Sequence, residues 1–281
     1  MCSPPRAALV AWQRSPSLSR RICTRNASAL GRRLRKCRNV TTLGVRTNLA
    51  DYSPEERGLI RDAATVYYPS TFYADLLDAM GMRTFPSYHT YKCVQDKLRQ
   101  SALFELLGIP HPRTRVFYGP AQKALITEHF RFPFVAKIPR GSALGRGVYL
   151  IGNRGELDDY CERNRIAYIQ EFVPADRDMR IVVIGGRIVH AYWRLAAAGE
   201  FRSNLAAGGR VSLEPVPEAA RALALQTARA CGWDDVGIDI CRCGGSYVVL
   251  EANMKYGLEG FRRAGIDYTH LMETMIEQGE I

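Results

Sequence analysis

Two glycine pairs constrain the fold of this chain more than any other feature. Gly185-Gly186 lies between the β-rich runs Arg180–Ile184 and Arg187–Leu195, and Gly244-Gly245 lies between Val236–Cys243 and Tyr247–Asn253. Adjacent glycines supply the positive φ angles of a tight hairpin, so each pair predicts two antiparallel neighbours. Four more runs, Arg115–Tyr118, Phe134–Ile138, Gly147–Ile151 and Ala167–Phe172, also read as strands, with a helix near Gly155–Asn164 among them. Further helices are expected over Tyr91–Leu107, ended by Gly108, Pro110 and Pro112, over Pro217–Cys231 and over Thr269–Glu277. Hairpin clusters separated by helices give an α+β body.

Ahead of that body, residues 40–90 read as a small parallel βαβαβ unit without a glycine-rich dinucleotide turn. Its strands are Val40–Val45, Thr65–Tyr68 and Thr84-Phe85. Its first helix starts at Ser53-Pro54-Glu55-Glu56, with a Ser cap, Pro in the first turn and acids beside the helix N-terminus. Its second follows Pro69-Ser70-Thr71 and stops at Gly81.

The charge is unevenly placed. The 281 residues carry a net charge of +11, yet residues 1–50 hold 11 Arg/Lys and no acid, leaving 28 basic groups to face 28 acidic ones in the rest. The body is therefore neutral, and any nucleic-acid argument applies to the leader alone. Three readings of the leader compete: a disordered or poorly packed extension, a transit peptide, or a basic arm for RNA or a ribosomal surface. It lacks the apolar core of a secretory signal, and no apolar run in the chain reaches the roughly 18 residues of a membrane span. The eight cysteines have no disulfide-framework spacing, which fits free thiols in a reducing, cytoplasmic setting. The expected division is residues 1–39 as leader, 40–90 as a reduced α/β unit and 91–281 as the main domain.

The second hairpin carries the chemistry. If its loop is the three residues Gly244-Gly245-Ser246, Asp239 directly opposes Glu251. Opposed carboxylates repel at about 5 Å and call for a cation between them, and Asn253 lies one pleat further on the same face. Asp239, Glu251 and Asn253 would then form a hard oxygen site suited to Mg²⁺. A two-residue loop would put the acids on opposite faces and leave an ordinary solvent-facing hairpin. Lys137 ends an apolar strand, where a lysine needs a partner for its charge. The segment Gly141-Ser142-Ala143-Leu144-Gly145-Arg146-Gly147 follows it, and its backbone N–H groups suit phosphate oxygens. It is neither a Walker loop nor a Rossmann turn, and a plain hairpin turn is the alternative. The polar loop Phe201–Arg210 offers Arg202 to clamp a phosphate and Asn204 to orient it, against the alternative of a surface loop.

Taken in order, Asp96-Lys97, Lys137 before its glycine loop, Ile169-Gln170-Glu171-Phe172-Val173, Asp178-Met179-Arg180, Phe201–Gly209, Gly237-Ile238-Asp239-Ile240 and Leu250-Glu251-Ala252-Asn253 resemble an ATP-grasp carboxylate–amine ligase. The similarity spans about residues 65–280 and is strongest to the RimK-like branch, whose named member adds glutamate to the C-terminus of a ribosomal protein. The resemblance implies an ATP-grasp fold, two α+β subdomains clasping a nucleotide. It implies that Lys97 and Lys137 contact the phosphates of ATP under a loop including Gly141, Ser142, Gly145 and Gly147. Main-chain groups at Glu171 and Phe172 would hold adenine, with Gln170 also in the nucleotide site and Asp178 on the ribose side. Arg202 and Asn204 would be the catalytic pair at the transferred phosphate, and Asp239, Glu251 and Asn253 would hold two Mg²⁺ ions, with Mn²⁺ as a substitute. The implied substrates are a carboxylate and an amine, such as an amino acid and a peptide or protein terminus. The chain departs from the branch after Asn253, where Met254-Lys255-Tyr256 replace a small residue and Pro, which bears on the acceptor. Two rivals remain: a non-catalytic RNA- or ribosome-binding protein acting through residues 1–50, and a small-molecule ligase of the same superfamily. The ligase reading expects activity to survive removal of residues 1–38.

Overall fold

The computed structural model describes residues 27–140, 147–203 and 208–281. The first unit contains β1 (Ala27–Ala29), β2 (Thr41–Thr42), α1 (Pro54–Arg61), β3 (Thr65–Tyr67), α2 (Thr71–Ala79) and β4 (Thr84–Phe85). Its four strands are parallel in the order β2-β1-β3-β4. Ser53 caps α1, as the sequence predicts, and Glu56 also accepts from the Ser53 N–H.

The expected boundary at residue 39 is wrong for the described part of the leader. Ala27–Ala29 is an inner strand of the first sheet, and Leu30 and Leu34 are fully buried. A few apolar residues set among arginines are enough, because Arg32, Arg35, Lys36 and Arg38 remain on the solvent side. Removal of residues 1–38 would therefore delete a strand, so its harmlessness is no longer expected. The strand expected over Val40–Val45 shrinks to Thr41–Thr42, ended by Gly44 at φ 85°.

The helix expected over Tyr91–Leu107 is two helices, α3 (Tyr88–Val94) and α4 (Lys97–Leu107). Asp96, in extended conformation, interrupts them and accepts hydrogen bonds from the N–H groups of Leu98 and Arg99. A side-chain acceptor that caps a new helix competes with continuing the old one. The break makes Lys97 the first residue of α4.

Then come β5 (Thr114–Tyr118), α5 (Gly119–Ala124), α6 (Ile126–His129), β6 (Phe134–Lys137), β7 (Val148–Ile151), α7 (Arg154–Arg163) and β8 (Ile166–Glu171). They form an antiparallel sheet in the order β5-β8-β6-β7. The two short helices α5 and α6 are not apparent from the sequence pattern.

The third sheet comes from β9 (Arg177–Ile184), β10 (Arg187–Leu195), β11 (Arg210–Ser212), β12 (Asp235–Cys243) and β13 (Ser246–Asn253), with α8 (Glu218–Ala230) between β11 and β12. α9 (Glu259–Arg263) and α10 (Tyr268–Glu277) follow. The strand order is β11-β10-β9-β12-β13. Alternation along β9 divides its two faces. Met179, Ile181 and Val183 pack with Phe104 and with Ala220, Ala224 and Ala228 of α8. Val182 and Ile184 pack with Phe261, Tyr268, Met272 and Met275, and with Tyr67, Tyr68 and Phe85 of the first unit. Asp178 and Arg180 continue that second face, so the fold buries charge at one end of a well-packed sheet.

Candidate active site

Both hairpins of the third sheet have two-residue glycine loops, and each contains a bulge. In the second, Cys243 pairs with Ser246, which corrects the expected three-residue loop. That loop alone would put Asp239 and Glu251 on opposite faces. The register shifts between Ile240, opposite Val249, and Asp239, opposite Glu251, with Leu250 as the extra residue. The bulge returns the two carboxylates to one face. In the first hairpin the register shifts at Val189, which places Arg194 opposite Asp178.

These registers build a buried charge network. Arg180 donates from Nε to Asp239 Oδ1 and from Nη2 to Oδ2 at 2.9 Å. Arg194 grips Asp178 through Nε (2.7 Å) and Nη2 (2.6 Å), and its Nη2 also lies 2.8 Å from Asp239 Oδ2. Two guanidinium groups thus balance two carboxylates, all four nearly inaccessible. Burial pushes the Asp239 carboxyl upward against the pull of Arg180 and Arg194. Ser203 donates to Asp178 Oδ2 at 2.6 Å, tying the Phe201–Ser203 segment to the network.

Glu251 faces a different environment. Asn253 donates from Nδ2 to its Oε1 at 2.8 Å, and Lys97 Nζ lies 3.9 Å from its Oε2. Burial would raise its pKa, but Lys97 and Lys137 outweigh that and hold the carboxyl at about 2. Lys137 is 6% exposed at the end of β6 and makes no ion pair among the described residues. Burial lowers its pKa, opposed by Glu251 and reinforced by Lys97. Two contacts bring the lysines together: Lys97 N–H donates to the Pro139 carbonyl at 3.3 Å, and Arg140 donates from Nε to Asp96 Oδ2 at 2.9 Å. An ammonium pair fixed beside an ionised carboxylate is suited to a ligand bearing both phosphate and a divalent cation.

Asp239, Glu251 and Asn253 supply only oxygen donors to such a cation. No cluster of three His, Cys, Asp or Glu ligands occurs among the described residues. The fit to Mg²⁺ therefore rests on two opposed carboxylates, one of them held ionised, and on one amide. Asp239 fits only by turning one oxygen from its arginines.

The other expected positions fall out variously. Gly141, Ser142, Gly145 and Asn204 lie outside the described residues. Gly147 has φ 73°, and a Cβ there would lie 2.9 Å from Ile138, so only glycine closes β7 onto the end of β6. The buried Gln170 side chain donates to Thr114 Oγ1 at 3.0 Å, between β8 and β5. Glu171 N–H is taken by the Arg113 carbonyl at 2.9 Å, and the Phe172 ring meets Phe201 edge-on. Asp178 has both oxygens engaged by Arg194. Arg202 pairs with Glu200 through Nη2 at 2.6 Å, and that hydrogen bond lowers the Glu200 pKa to about 2. Arg194 and Glu200 escaped the sequence reading. A hairpin register counted from Gly185-Gly186 would have put Arg194 opposite Arg177, because the bulge leaves no sequence signal.

Residues 94–276 match the family model described as RimK-like ATP-grasp domain. A probable alpha-L-glutamate ligase of Parasynechococcus marenigrum is 34% identical over 220 residues, covering 74% of this chain and 47% of that protein. A ribosomal protein bS6–L-glutamate ligase of Escherichia fergusonii is 34% identical over 192 residues, covering 66% and 64%. The chain thus spans just under half of the first relative's length and just under two thirds of the second's. Among solved structures, a RimK domain ATP-grasp protein of Sphaerobacter thermophilus shares the fold at TM-score 0.66 and 18% identity, covering 89% of this chain and 98% of that one.

Proposed function

The chain belongs to the RimK-like ATP-grasp family, and from this premise we propose that it is an ATP- and Mg²⁺-dependent ligase joining a carboxylate to an amine. The substrate pair in this reading is an amino acid of the glutamate type and the terminus of a peptide or protein, since the E. fergusonii relative is named for glutamate ligation to a ribosomal protein. One observation carries the reading: Lys97 from a helix and Lys137 from a strand of another sheet converge on Glu251, which they keep ionised. No helix among the described residues is long and apolar enough to cross a membrane. The free thiols of Cys37, Cys93, Cys231 and Cys241 support a cytoplasmic setting.

The roles follow from charge. Lys97 and Lys137 bind the triphosphate and lower its repulsion toward an incoming carboxylate. Asp239, Glu251 and Asn253 would hold Mg²⁺, which when bound screens the same repulsion. The substrate carboxylate attacks the γ-phosphorus, ADP departs, and an acyl phosphate forms. The amine then adds to the acyl carbon, and phosphate leaves. Arg202 stabilises the developing oxyanion once its guanidinium turns from Glu200. No side-chain nucleophile is needed.

The test incubates the full chain with ATP, Mg²⁺, glutamate and candidate peptide acceptors. It follows ADP release and the acceptor mass together. Glutamate-dependent ADP release with an acceptor gaining one residue is the expected result. ADP release that depends on neither amine nor carboxylate across the panel would contradict it.

A further inference from the structure

A second buried cluster, outside the machinery described above, links the first unit to the end of β13. Arg33 extends from the turn after β1 into a cage of three tyrosines. Its guanidinium carbon lies 4.3 Å from the ring centroid of Tyr256, 5.1 Å from Tyr268 and 5.6 Å from Tyr68. Nε donates to the Tyr268 hydroxyl at 2.7 Å, and Nη1 lies 3.5 Å from the Met254 carbonyl. The nearby carboxylate, Asp235, does not pair with it. Asp235 instead accepts from Tyr68 (2.8 Å) and Tyr256 (2.7 Å). Arg33 Nη2 is buried without a hydrogen-bond partner.

This is a poor way to stabilise a core, since a leucine would fill the space without an unsatisfied donor. The backbone is also strained toward it. Tyr68 is the one non-glycine residue at positive φ among the described residues (46°), and that conformation ends β3 where its ring turns into the cage. What the cluster holds is the segment after Asn253. Met254 touches Arg33 through its carbonyl. The Tyr256 ring lies under the guanidinium, and the Tyr256 carbonyl accepts from Arg180 Nη1 at 3.2 Å. The same Arg180 grips Asp239. Tyr256 can cross β12 here only because position 237 is glycine, where a Cβ would lie 2.5 Å from Tyr256 Cβ.

We propose that Arg33 is a positioning residue for the metal-binding end of the site. By clamping Met254–Tyr256 against β12, it fixes Asn253 on one side and the Arg180–Asp239 pair on the other. The first unit thereby completes a site whose ligands all lie in the third sheet. The Met254-Lys255-Tyr256 sequence that replaces a small residue and Pro supplies the aromatic face this clamp needs. The proposal rests on the reading of Asp239, Glu251 and Asn253 as Mg²⁺ ligands.

The test uses the full chain and three variants: Arg33→Met, Arg33→Lys and Tyr268→Phe. Two quantities are read: backbone hydrogen exchange over residues 253–257 in the metal-free protein, and the Mg²⁺ concentration that half-saturates ATP binding. Arg33→Met is expected to speed exchange in that segment and raise the Mg²⁺ requirement about tenfold, as loss of outer-shell support does at other metal sites. Arg33→Lys, which keeps a cation over the rings, should recover most of it, and Tyr268→Phe should shift it about threefold. If Arg33→Met does not fold, Tyr268→Phe, which removes the acceptor of the Arg33 Nε bond, carries the comparison. Wild-type exchange and an unchanged Mg²⁺ requirement in folded Arg33→Met, or in Tyr268→Phe where Arg33→Met does not fold, would overturn the proposal. A wild-type protein whose ATP binding ignores Mg²⁺ would instead overturn the ligand reading beneath it.

Discussion

The two strands of the β12–β13 hairpin hold facing carboxylates by different means. Asp239 is gripped by arginines from β9 and β10 of its own sheet, at distances the backbone register sets. Glu251 is held ionised by lysines from α4 and β6, outside that sheet, and its side chain is 26% exposed. The arginine side therefore forms as the sheet forms. The lysine side forms only when two bodies meet, and it stays open to a ligand. The difference separates a preset half of the site from an assembled half. It also matches residue chemistry: the planar guanidinium suits a fixed bidentate pair, and the ammonium suits a charge that must exchange partners.

The sharpest way to break the comparison is to insert one alanine between Leu250 and Glu251. With the bulge kept, the added residue would take the place opposite Asp239, Glu251 would fall opposite Ile238, and the two sides would no longer share a face. Mg²⁺-dependent nucleotide binding should be lost altogether, as measured by titration. The next effect separates the halves by stability. Asp239→Asn leaves two buried arginines short of a charge, and should cost about 3–5 kcal/mol in urea denaturation. Glu251→Gln should cost about 1–2 kcal/mol, because the position is partly exposed and the new amide oxygen can still accept from Asn253. Equal costs would refute the distinction.

Lys137→Met tests the assembled half from the other partner. Replacing a buried ammonium with an apolar chain of similar length should leave stability within about 1 kcal/mol. The same change should weaken ATP binding about a hundredfold, the worth of a charge-assisted phosphate contact or two. The smallest effect is on pH dependence. The Glu251 pKa falls from 4.5 to about 2 on folding. Its contribution is thus present above pH 4.5 and lost as pH falls toward 2. Acid denaturation of Glu251→Gln should lack that portion of the slope.

Much of this site was legible from residue order alone. Strand alternation alone puts Glu251 and Asn253 on one face, whereas Lys97 and Lys137 come to Glu251 from elements no local pattern connects to it. The opposition of Asp239 and Glu251 was reached through the wrong loop length. A two-residue turn and a bulge at Leu250 give the same pairing as a three-residue turn, and a bulge has no composition of its own. Arg194 was hidden by the same device at Val189. The break before Lys97 comes from Asp96 capping α4, a local signal hidden inside a pattern that otherwise reads as one continuous helix. The buried strand Ala27–Ala29 was masked by the arginines around it, since charge counts average over the two faces of a segment.

The most direct test of the central claim is calorimetric titration of ATP, with and without Mg²⁺, into the wild type and into Asp239→Asn/Glu251→Gln. The site described here requires Mg²⁺-dependent binding in the wild type that the double variant loses while it remains folded. Undiminished Mg²⁺-dependent binding by the folded double variant would place the nucleotide and its metal elsewhere and contradict the account.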